Sequence, residues 1–153
     1  MSRKPEDIVS AAVVKHGSGR EAVMEILMDV NRELGYIPEE AMKAVAKAVD
    51  VSNAEIYSVV SFYSFFSTEP RGRNIIRLCN TISCEMNGSS DILGAIEKEL
   101  CIKTGETTAD GRITLETTSC IGLCDQSPAM LVNDTPHTRL TPEEACKILA
   151  GLE

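Results

Sequence analysis

The sequence is poor in aromatic side chains, basic clusters and long apolar runs, and each shortage excludes a class of protein. Tryptophan is absent, and tyrosine and phenylalanine together make up 4% of the 153 residues. Apolar residues run for about four positions at most, far fewer than the roughly 20 that a membrane-spanning helix needs. Residues 1–70 carry 7 basic and 11 acidic side chains, residues 71–153 carry 8 and 12, and the net charge is −8. This composition argues against membrane insertion and against binding to nucleic acid or anionic lipid.

Signals for export and for substrate chemistry are also missing. The N-terminal stretch MSRKPEDIVS has acidic residues where a signal peptide carries apolar ones, so we expect an unexported, cytoplasmic protein. NAD and flavin sites commonly show a glycine-rich turn between a strand and a helix, but the GSG at 17–19 follows a predicted helix. The sequence therefore shows no place at which the isolated chain could oxidise a substrate.

Residues 5–66 have the period of amphipathic helices separated by short breaks. One helix is predicted to end at Gly35, and a second to begin at Pro38. A third follows a capping box formed by Ser52 and Glu55 and is predicted to run through Phe66. The proline and glycine of STEPRGR then predict a domain boundary. We therefore expect a helical domain over 1–70 and a second domain over 71–153.

The third helix concentrates most of the aromatic residues of the chain. Five of the six lie within ten positions, and they are Tyr57, Phe62, Tyr63, Phe65 and Phe66. Three of them are expected to share the buried face, namely Phe62, Tyr63 and Phe66, whereas Phe65 must point elsewhere. Aromatic side chains concentrate both in cores and in interfaces. These aromatic residues could therefore either anchor the helical bundle or dock a partner, and the sequence leaves both roles open.

Beyond the boundary the pattern predicts an α/β layer arrangement of about 80 residues. Short β-branched or alternating segments predict strands at 74–78, around Ile113 and Leu115, and at 129–133. One helix is predicted after Ser89 or Ser90 as the capping residue, and another after a capping box at Thr141. The three arginines at 71, 73 and 77 are expected to be solvated at the edge of a strand.

Four of the six cysteines form two pairs that follow predicted strands. Cys79 and Cys84 follow the first strand, and Cys120 and Cys124 follow the second, so both pairs are expected in loops that leave the strands and are rich in glycine and serine. A chain without an export signal rarely builds a disulfide framework, so metal binding or catalysis is the first expectation. Structural zinc and dithiol redox sites prefer pairs separated by two residues, whereas iron–sulfur clusters accept longer loops. Zinc, redox chemistry, buried thiols and a two-iron cluster all stay open here, with the paired layout favouring the cluster.

The other two cysteines differ from these pairs. Cys101 and Cys146 lie in or at the end of predicted helices among apolar neighbours, so each is expected to behave as a small buried hydrophobic residue.

Three segments together resemble the thioredoxin-like 2Fe–2S subunit of respiratory NADH:quinone oxidoreductase and its relatives in NAD-linked hydrogenases and formate dehydrogenases. They are CNTISCEMNGSSDILGAIEKEL, GETTADGRITLETTSCIGLC and SPAMLVND. The resemblance spans nearly the whole chain and implies an N-terminal helical bundle followed by a thioredoxin-like 2Fe–2S ferredoxin domain. It implies that Cys79 and Cys84 bind one iron of a 2Fe–2S cluster and that Cys120 and Cys124 bind the other.

The same resemblance implies a partner subunit that is itself an iron–sulfur protein and carries the FMN and the NAD site. The cluster of this chain would exchange electrons with that FMN. The stretch TPHTRLTPEE is more similar to the hydrogenase and formate dehydrogenase relatives than to the respiratory ones. We therefore expect a subunit of a soluble NAD-linked hydrogenase or formate dehydrogenase complex. The alternatives are the respiratory subunit and a stand-alone 2Fe–2S ferredoxin, against which the helical residues 1–66 argue.

Overall fold

A computed structural model describes residues 4–152 and separates the chain into two compact units. One unit ends at Pro70 and the other begins at Arg71. Each unit has its own apolar core. That the units are two separately folding domains stays a prediction. None of the helices in residues 4–152 has both the length and the apolar character needed to cross a membrane.

The N-terminal unit consists of helices packed on one core. In chain order they are α1 (Pro5–His16), α2 (Val23–Leu34), α3 (Glu39–Ala48) and α4 (Asn53–Phe62). In α2 the apolar residues recur at helical spacing, so Ile26, Leu27 and Val30 are all fully buried against the other helices. Gly35 ends α2 as predicted, because its φ of +78° belongs to the left-handed region that glycine adopts without a steric penalty.

The third predicted helix is shorter than expected. It ends at Phe62, and the chain then turns so that the Ile37 N–H donates a hydrogen bond of 2.7 Å to the Ser67 carbonyl. This turn carries Phe66 into the core, where it is 5% exposed. The prediction that Phe62 and Tyr63 are also buried is wrong, since they are 78% and 37% exposed. Phe62 is the last residue of the helix and Tyr63 follows it, so a helical period extended through Phe66 placed both side chains wrongly.

The C-terminal unit is a four-stranded mixed sheet with helices. Its elements are β1 (Asn74–Cys79), α5 (Ile82–Met86), α6 (Ser89–Leu100), β2 (Ile113–Thr118), β3 (Ala129–Val132), β4 (Thr135–Thr138) and α7 (Pro142–Ala150). The strand order is β2-β1-β3-β4. β1 and β2 are parallel, whereas β3 pairs antiparallel with both β1 and β4. The predicted order, a helical bundle followed by a layer of sheet and helices, is confirmed by this architecture.

Alternation along the strands builds the core of this unit. Ile76 and Leu78 of β1 point to the same side of the sheet and are buried with Ile92 and Ile96 of α6. Leu149 of α7 belongs to the same core. The sheet and its two longer helices therefore form one rigid support from which the loops at the sheet edge project.

Four short elements were not predicted. Helix α5 has five residues and β4 has four, with Pro136 inside it. Two 3-10 helices of three residues each lie at Arg20–Ala22 and Cys124–Gln126. Segments this short carry too few positions for a periodic pattern, and proline lowers the expectation of a strand. The predicted cap of α6 is also wrong, because Gly88 precedes the helix and the Ser89 hydroxyl donates to the Cys79 carbonyl at 2.6 Å.

The arginines near the start of this unit are mostly not solvated. The Arg71 and Arg77 side chains are 8% and 17% exposed, and their Nε atoms lie 3.3 and 3.1 Å from the Glu116 carboxylate. The expectation of solvated arginines at an edge is wrong for these two because β1 is an inner strand of the sheet. Glu116 is opposite Arg77 in the register of β1 and β2, which explains the pairing.

Candidate metal centre

The two cysteine pairs lie at one edge of the sheet. Cys79 is the last residue of β1, and Cys84 lies on α5, which follows it directly. Cys120 and Cys124 follow the end of β2, and Cys79 is opposite Thr118 in the parallel register. Because the carboxyl ends of neighbouring parallel strands meet at the same edge, the topology brings both pairs together. The expectation that both pairs lie in loops is wrong for three of the four residues. Cys79 ends β1, Cys84 lies on α5, and Cys124 begins a 3-10 helix over Cys124–Gln126.

Within each pair the thiols are close. The Sγ atoms of Cys120 and Cys124 are 3.1 Å apart. Cys79 and Cys84 are near enough for each to shift the pKa of the other. Among residues 4–152, no group of three or more histidine, cysteine or acidic side chains is already arranged around a common metal position. The structure thus brings together two pairs, and the assignment of all four cysteines as ligands stays a prediction.

The two pairs differ in their access to solvent. Cys79 and Cys84 are both 1% exposed, whereas Cys120 and Cys124 are exposed. A group bound by all four thiols would therefore have an inner side, supported by the sheet and α5, and an outer side that faces the surface.

Hydrogen-bond donors lie beside the sulfur atoms. The Gly122 N–H is 3.4 Å from Cys120 Sγ, and its φ of +84° requires glycine or costs strain in any other residue. The Thr81 hydroxyl is 3.1 Å from Cys79 Sγ. Hydrogen bonds to sulfur are among the features by which a protein stabilises a thiolate cluster and sets its potential.

These contacts separate the acidities of the two buried thiols. Burial raises the pKa of the Cys79 thiol, but hydrogen bonds from Thr81, Cys84 and the Ile121 amide outweigh it and hold that pKa below its ordinary value. The pKa of Cys84 is raised by burial, by its hydrogen bond to Cys79 and by the negative charges of Cys79 and Cys124. Cys79 is therefore the thiolate that forms first in this pair.

Repulsion between neighbouring thiolates also raises a pKa in the outer pair. The pKa of Cys124 is raised by its hydrogen bond with Cys120, then by the charge of Cys120 and by burial, and further by Cys79 and Asp125. Thiolates that oppose one another's ionisation in this way need a cationic centre to hold them all deprotonated. The donor set, four thiols in two pairs with amide and hydroxyl donors, fits a 2Fe–2S cluster.

The remaining cysteines are placed elsewhere. Cys101 lies just after α6 with φ of +55° and is exposed, so the expectation of a buried residue is wrong for it. A helix terminus in the left-handed conformation turns the side chain outward, which the apolar neighbours in the sequence did not reveal. Cys146 lies on α7 and is half-buried, closer to expectation.

Sequence reasoning missed the residues that shape the site. The Thr81 hydroxyl contacts the Cys79 sulfur, and the Ser89 hydroxyl donates a hydrogen bond to the Cys79 carbonyl. The Asn87 amide nitrogen donates to the Ser127 hydroxyl at 2.9 Å. This last contact joins the end of α5 to the segment that follows Cys124. Small polar residues around a cysteine pair were the available signal, but only the fold shows which sulfur or carbonyl each one reaches.

The paired thiols at the edge of the sheet and the donors beside them suit an iron–sulfur protein. Residues 9–153 match the family described as thioredoxin-like [2Fe-2S] ferredoxin, and the chain belongs to that family. The predicted family and its 2Fe–2S cofactor are thereby confirmed.

Relatives in this family include subunits of NAD-linked complexes. An NADH-quinone oxidoreductase subunit of Escherichia coli (strain K12) is 39% identical over 130 residues, which cover 85% of this chain and 78% of the relative. NAD-reducing hydrogenase HoxS subunit alpha of Cupriavidus necator is 36% identical over 145 residues, which cover 95% of this chain and 24% of the relative.

A solved structure shows the same fold. An air-oxidized NAD+-reducing [NiFe]-hydrogenase contains a chain with TM-score 0.73 and 26% identity, and the match covers 84% of this chain and 22% of that one. This protein therefore spans about a fifth of the hydrogenase chain it matches, but more than three quarters of the Escherichia coli relative.

Proposed function

We propose that this chain is the electron-transfer subunit of an NAD-linked oxidoreductase complex and holds one 2Fe–2S cluster on Cys79, Cys84, Cys120 and Cys124. The observation that carries the proposal is the meeting of these two cysteine pairs at one sheet edge, in a chain whose residues 9–153 match a 2Fe–2S family. Cys79 and Cys84 would hold the inner iron, and Cys120 and Cys124 the outer one.

When bound, a 2Fe–2S cluster accepts and releases one electron at a time. The residues of the chain fix the site. β1 and α5 hold the inner thiols away from water, and the Gly122 amide and the Thr81 hydroxyl direct donors at sulfur. The exposed outer thiols leave a short path between the site and whatever binds this edge.

The partner follows from the relatives. We propose that a separate subunit of the same complex carries FMN and the NAD site and exchanges electrons with this chain. Support comes from relatives named as subunits of NADH-quinone oxidoreductase and of NAD-reducing hydrogenase. The sequence of this chain lacks a glycine-rich turn suited to either cofactor, so a division of labour is expected.

Two kinds of complex are supported by different observations. The hydrogenase assignment is supported by the match of 95% of the chain to HoxS subunit alpha and by the shared fold of the solved hydrogenase. The respiratory assignment is supported by the 39% identity to the Escherichia coli NADH-quinone oxidoreductase subunit and by its similar length. A formate dehydrogenase complex stays a prediction from the sequence TPHTRLTPEE.

The test is a reduction experiment on the complex isolated without oxygen through a tag on this chain. Addition of NADH is expected to produce the paramagnetic signal of a reduced 2Fe–2S cluster. The tagged chain separated from its partner should give that signal with dithionite but not with NADH. Reduction of the separated chain by NADH would contradict the proposed division of labour, and co-purification of no flavoprotein would favour a stand-alone ferredoxin.

A further inference from the structure

Thr81 stands at the N-terminal end of α5 but does not cap the helix. Its backbone has the extended conformation of a capping residue, with φ of −80° and ψ of 161°, yet its side chain accepts no capping hydrogen bond. Ser52 and Thr141, in the same position of α4 and α7, each accept one from the amide three residues further along the chain. The hydroxyl of Thr81 is therefore committed to a different contact.

The contact that this hydroxyl makes is with a candidate ligand. Its oxygen lies 3.1 Å from Cys79 Sγ. A thiolate bound to a metal carries no hydrogen, so in the loaded site the sulfur can only accept a hydrogen bond. The Thr81 hydroxyl must then be the donor, which gives the contact one direction.

Hydrogen bonds hold the backbone on both sides of this contact. The Ser89 hydroxyl, which is buried, donates to the Cys79 carbonyl at 2.6 Å. The Glu85 N–H donates to the Thr81 carbonyl at 2.9 Å, as the first bond of α5. Because both residues are fixed through their carbonyls, the hydroxyl and the sulfur keep their relative positions before any group is bound.

Burial distinguishes this donor from the one at the outer pair. Cys79 is 1% exposed, so water cannot replace a donor that its sulfur loses. Cys120 is exposed, and the Gly122 N–H lies 3.4 Å from its sulfur, where water can compete. A hydrogen bond to a charged group is stronger where water is excluded. Loss of the Thr81 hydroxyl should therefore have the larger effect on the site.

We propose that the Thr81 hydroxyl, through its hydrogen bond to Cys79 Sγ, raises the reduction potential of the 2Fe–2S cluster. The inference rests on the proposed function, in which Cys79 is a ligand. Reduction adds one electron, breaks no bond and makes the ligating sulfur atoms more negative. A donor at sulfur therefore stabilises the reduced form more than the oxidised form, and the potential rises.

The test is a redox titration of the full-length chain purified without oxygen. Dithionite supplies the electron, and the paramagnetic signal of the reduced cluster is the readout. Thr81→Val replaces the hydroxyl by a methyl group of similar size. This variant is expected to make reduction about tenfold less favourable, which for one electron lowers the midpoint potential by about 59 mV. Iron and sulfide are measured in each variant to compare cluster content.

Two matched variants separate the hydroxyl from other effects. Thr81→Ser keeps the donor and should retain the wild-type potential. Thr135→Val makes the same chemical change on β4, at an exposed residue. Thr135 pairs with Val132 at the end of the sheet away from Cys79, so this variant should leave the potential unchanged.

Each outcome decides the inference. A lower potential in Thr81→Val, with both matched variants at the wild-type value, supports it. An unchanged potential in Thr81→Val overturns it and leaves the proposed function intact. An equal fall in Thr81→Ser or Thr135→Val also overturns it, because the hydroxyl at position 81 would not be the cause.

Cluster content covers the remaining outcomes. If Thr81→Val holds no cluster, Thr81→Ala is titrated in its place and should show the same fall in potential. Loss of the cluster from both variants would make Thr81 a requirement for cluster retention and overturn its assignment to the potential. A wild-type chain without a cluster would overturn the proposed function and this inference together.

Discussion

At the residue scale, the six cysteines fall into two groups that differ in surroundings rather than in burial alone. Cys79 and Cys120 each have a hydroxyl or amide donor beside the sulfur, from Thr81 and from Gly122. Cys101 instead contacts the Lys98 carbonyl of its own helix. Donors beside sulfur suit a thiolate, whereas a carbonyl suits a protonated thiol.

The first prediction separates these groups. Serine substitution at any of residues 79, 84, 120 or 124 is expected to remove most of the cluster, because an alkoxide replaces a thiolate poorly as an iron ligand at neutral pH. The measurement is the visible absorbance that bleaches on addition of dithionite. Cys101→Ala and Cys146→Ala are the controls and should keep the absorbance. Loss of the cluster from either control would show that the ligand set is wrong.

The second prediction concerns Cys101 itself. This residue follows α6 in the left-handed region, at φ of +55°, which costs a residue with a Cβ about 1 kcal/mol relative to glycine. Cys101→Gly is therefore expected to raise the free energy of unfolding by about 1 kcal/mol. Urea denaturation followed by circular dichroism provides the measurement. Cys101→Ala keeps the strain and should not stabilise the protein, and equal stabilisation by both variants would contradict the explanation.

At the scale of secondary-structure elements, two charged clusters join segments that are distant in sequence. Glu116 of β2 contacts Arg77 on β1 and Arg71, which precedes β1. Asp29 of α2 contacts Lys15 and His16 at the end of α1, in each case at 2.9 Å. The first cluster is mostly buried, whereas the second lies nearer the surface, so they are expected to differ in energetic weight.

The third prediction tests the buried cluster. Glu116→Leu would leave two largely buried guanidinium groups without their carboxylate, so the free energy of unfolding is expected to fall by about 3 kcal/mol. Urea denaturation of the whole chain measures the loss. Lys103→Ala is the control. It breaks the ion pair between Lys103 and Glu97, and because the Lys103 side chain is 76% exposed, the free energy of unfolding should change little. Similar losses from both variants would mean that burial does not decide the strength of these pairs.

The fourth prediction concerns pH. Hydrogen bonds from Lys15 and then from His16 hold the pKa of the Asp29 carboxyl below its ordinary value of 3.8. The unfolded chain therefore binds a proton more readily than the folded one, and the contribution of Asp29 to stability is present above pH 3.8 and lost as the pH falls through the folded-state pKa.

The measurement compares wild type with Asp29→Asn across this range. The variant should be less stable than wild type near neutral pH, and the difference should shrink as the pH falls below 3.8. Asp7→Asn is a suitable control, since Asp7 is an exposed acidic residue of α1. A stability difference that persists unchanged in acid would show that the Asp29→Asn substitution destabilises the protein for a reason other than charge.

Elements with a long periodic pattern and a stop signal could be predicted from the sequence, and short ones could not. Helix α2 ends at Gly35 as expected, and α7 follows a complete capping box of Thr141 and Glu144. Helix α5 has five residues, and its amphipathic character is inverted because its large apolar residues face outward. The end of α4 could not be predicted because aromatic residues continue for four positions past the last helical turn.

At the scale of the whole molecule, the position of the candidate site could be predicted from the sequence, but the side chains and surfaces around it could not. Two cysteine pairs after two strands suffice to suggest one site, because parallel strands end at one edge. The donors to sulfur and the exposure of Ile82 depend on how α5 is oriented, and that orientation is set by the buried Cys84 and by the Asn87–Ser127 contact. Tertiary contacts of this kind leave no periodic signal in the sequence.

The division into two units also belongs to this scale. The helical unit has its own core and the sheet unit has another, while all four candidate ligands lie in the sheet unit. The site therefore makes no direct use of the helical unit for its ligands. Phe66 is buried and anchors the core of the helical unit. The aromatic residues at positions 57, 62, 63 and 65 are exposed, so their role as bundle anchors or as a docking surface stays open.

Iron and acid-labile sulfide, measured on the intact chain purified without oxygen, show whether the four cysteines hold a cluster. About two of each per chain are expected, since one 2Fe–2S cluster is held by four thiolates. A chain loaded with about one zinc and free of sulfide would contradict it, because four thiolates around a single tetrahedral ion form a structural site with no electron to transfer.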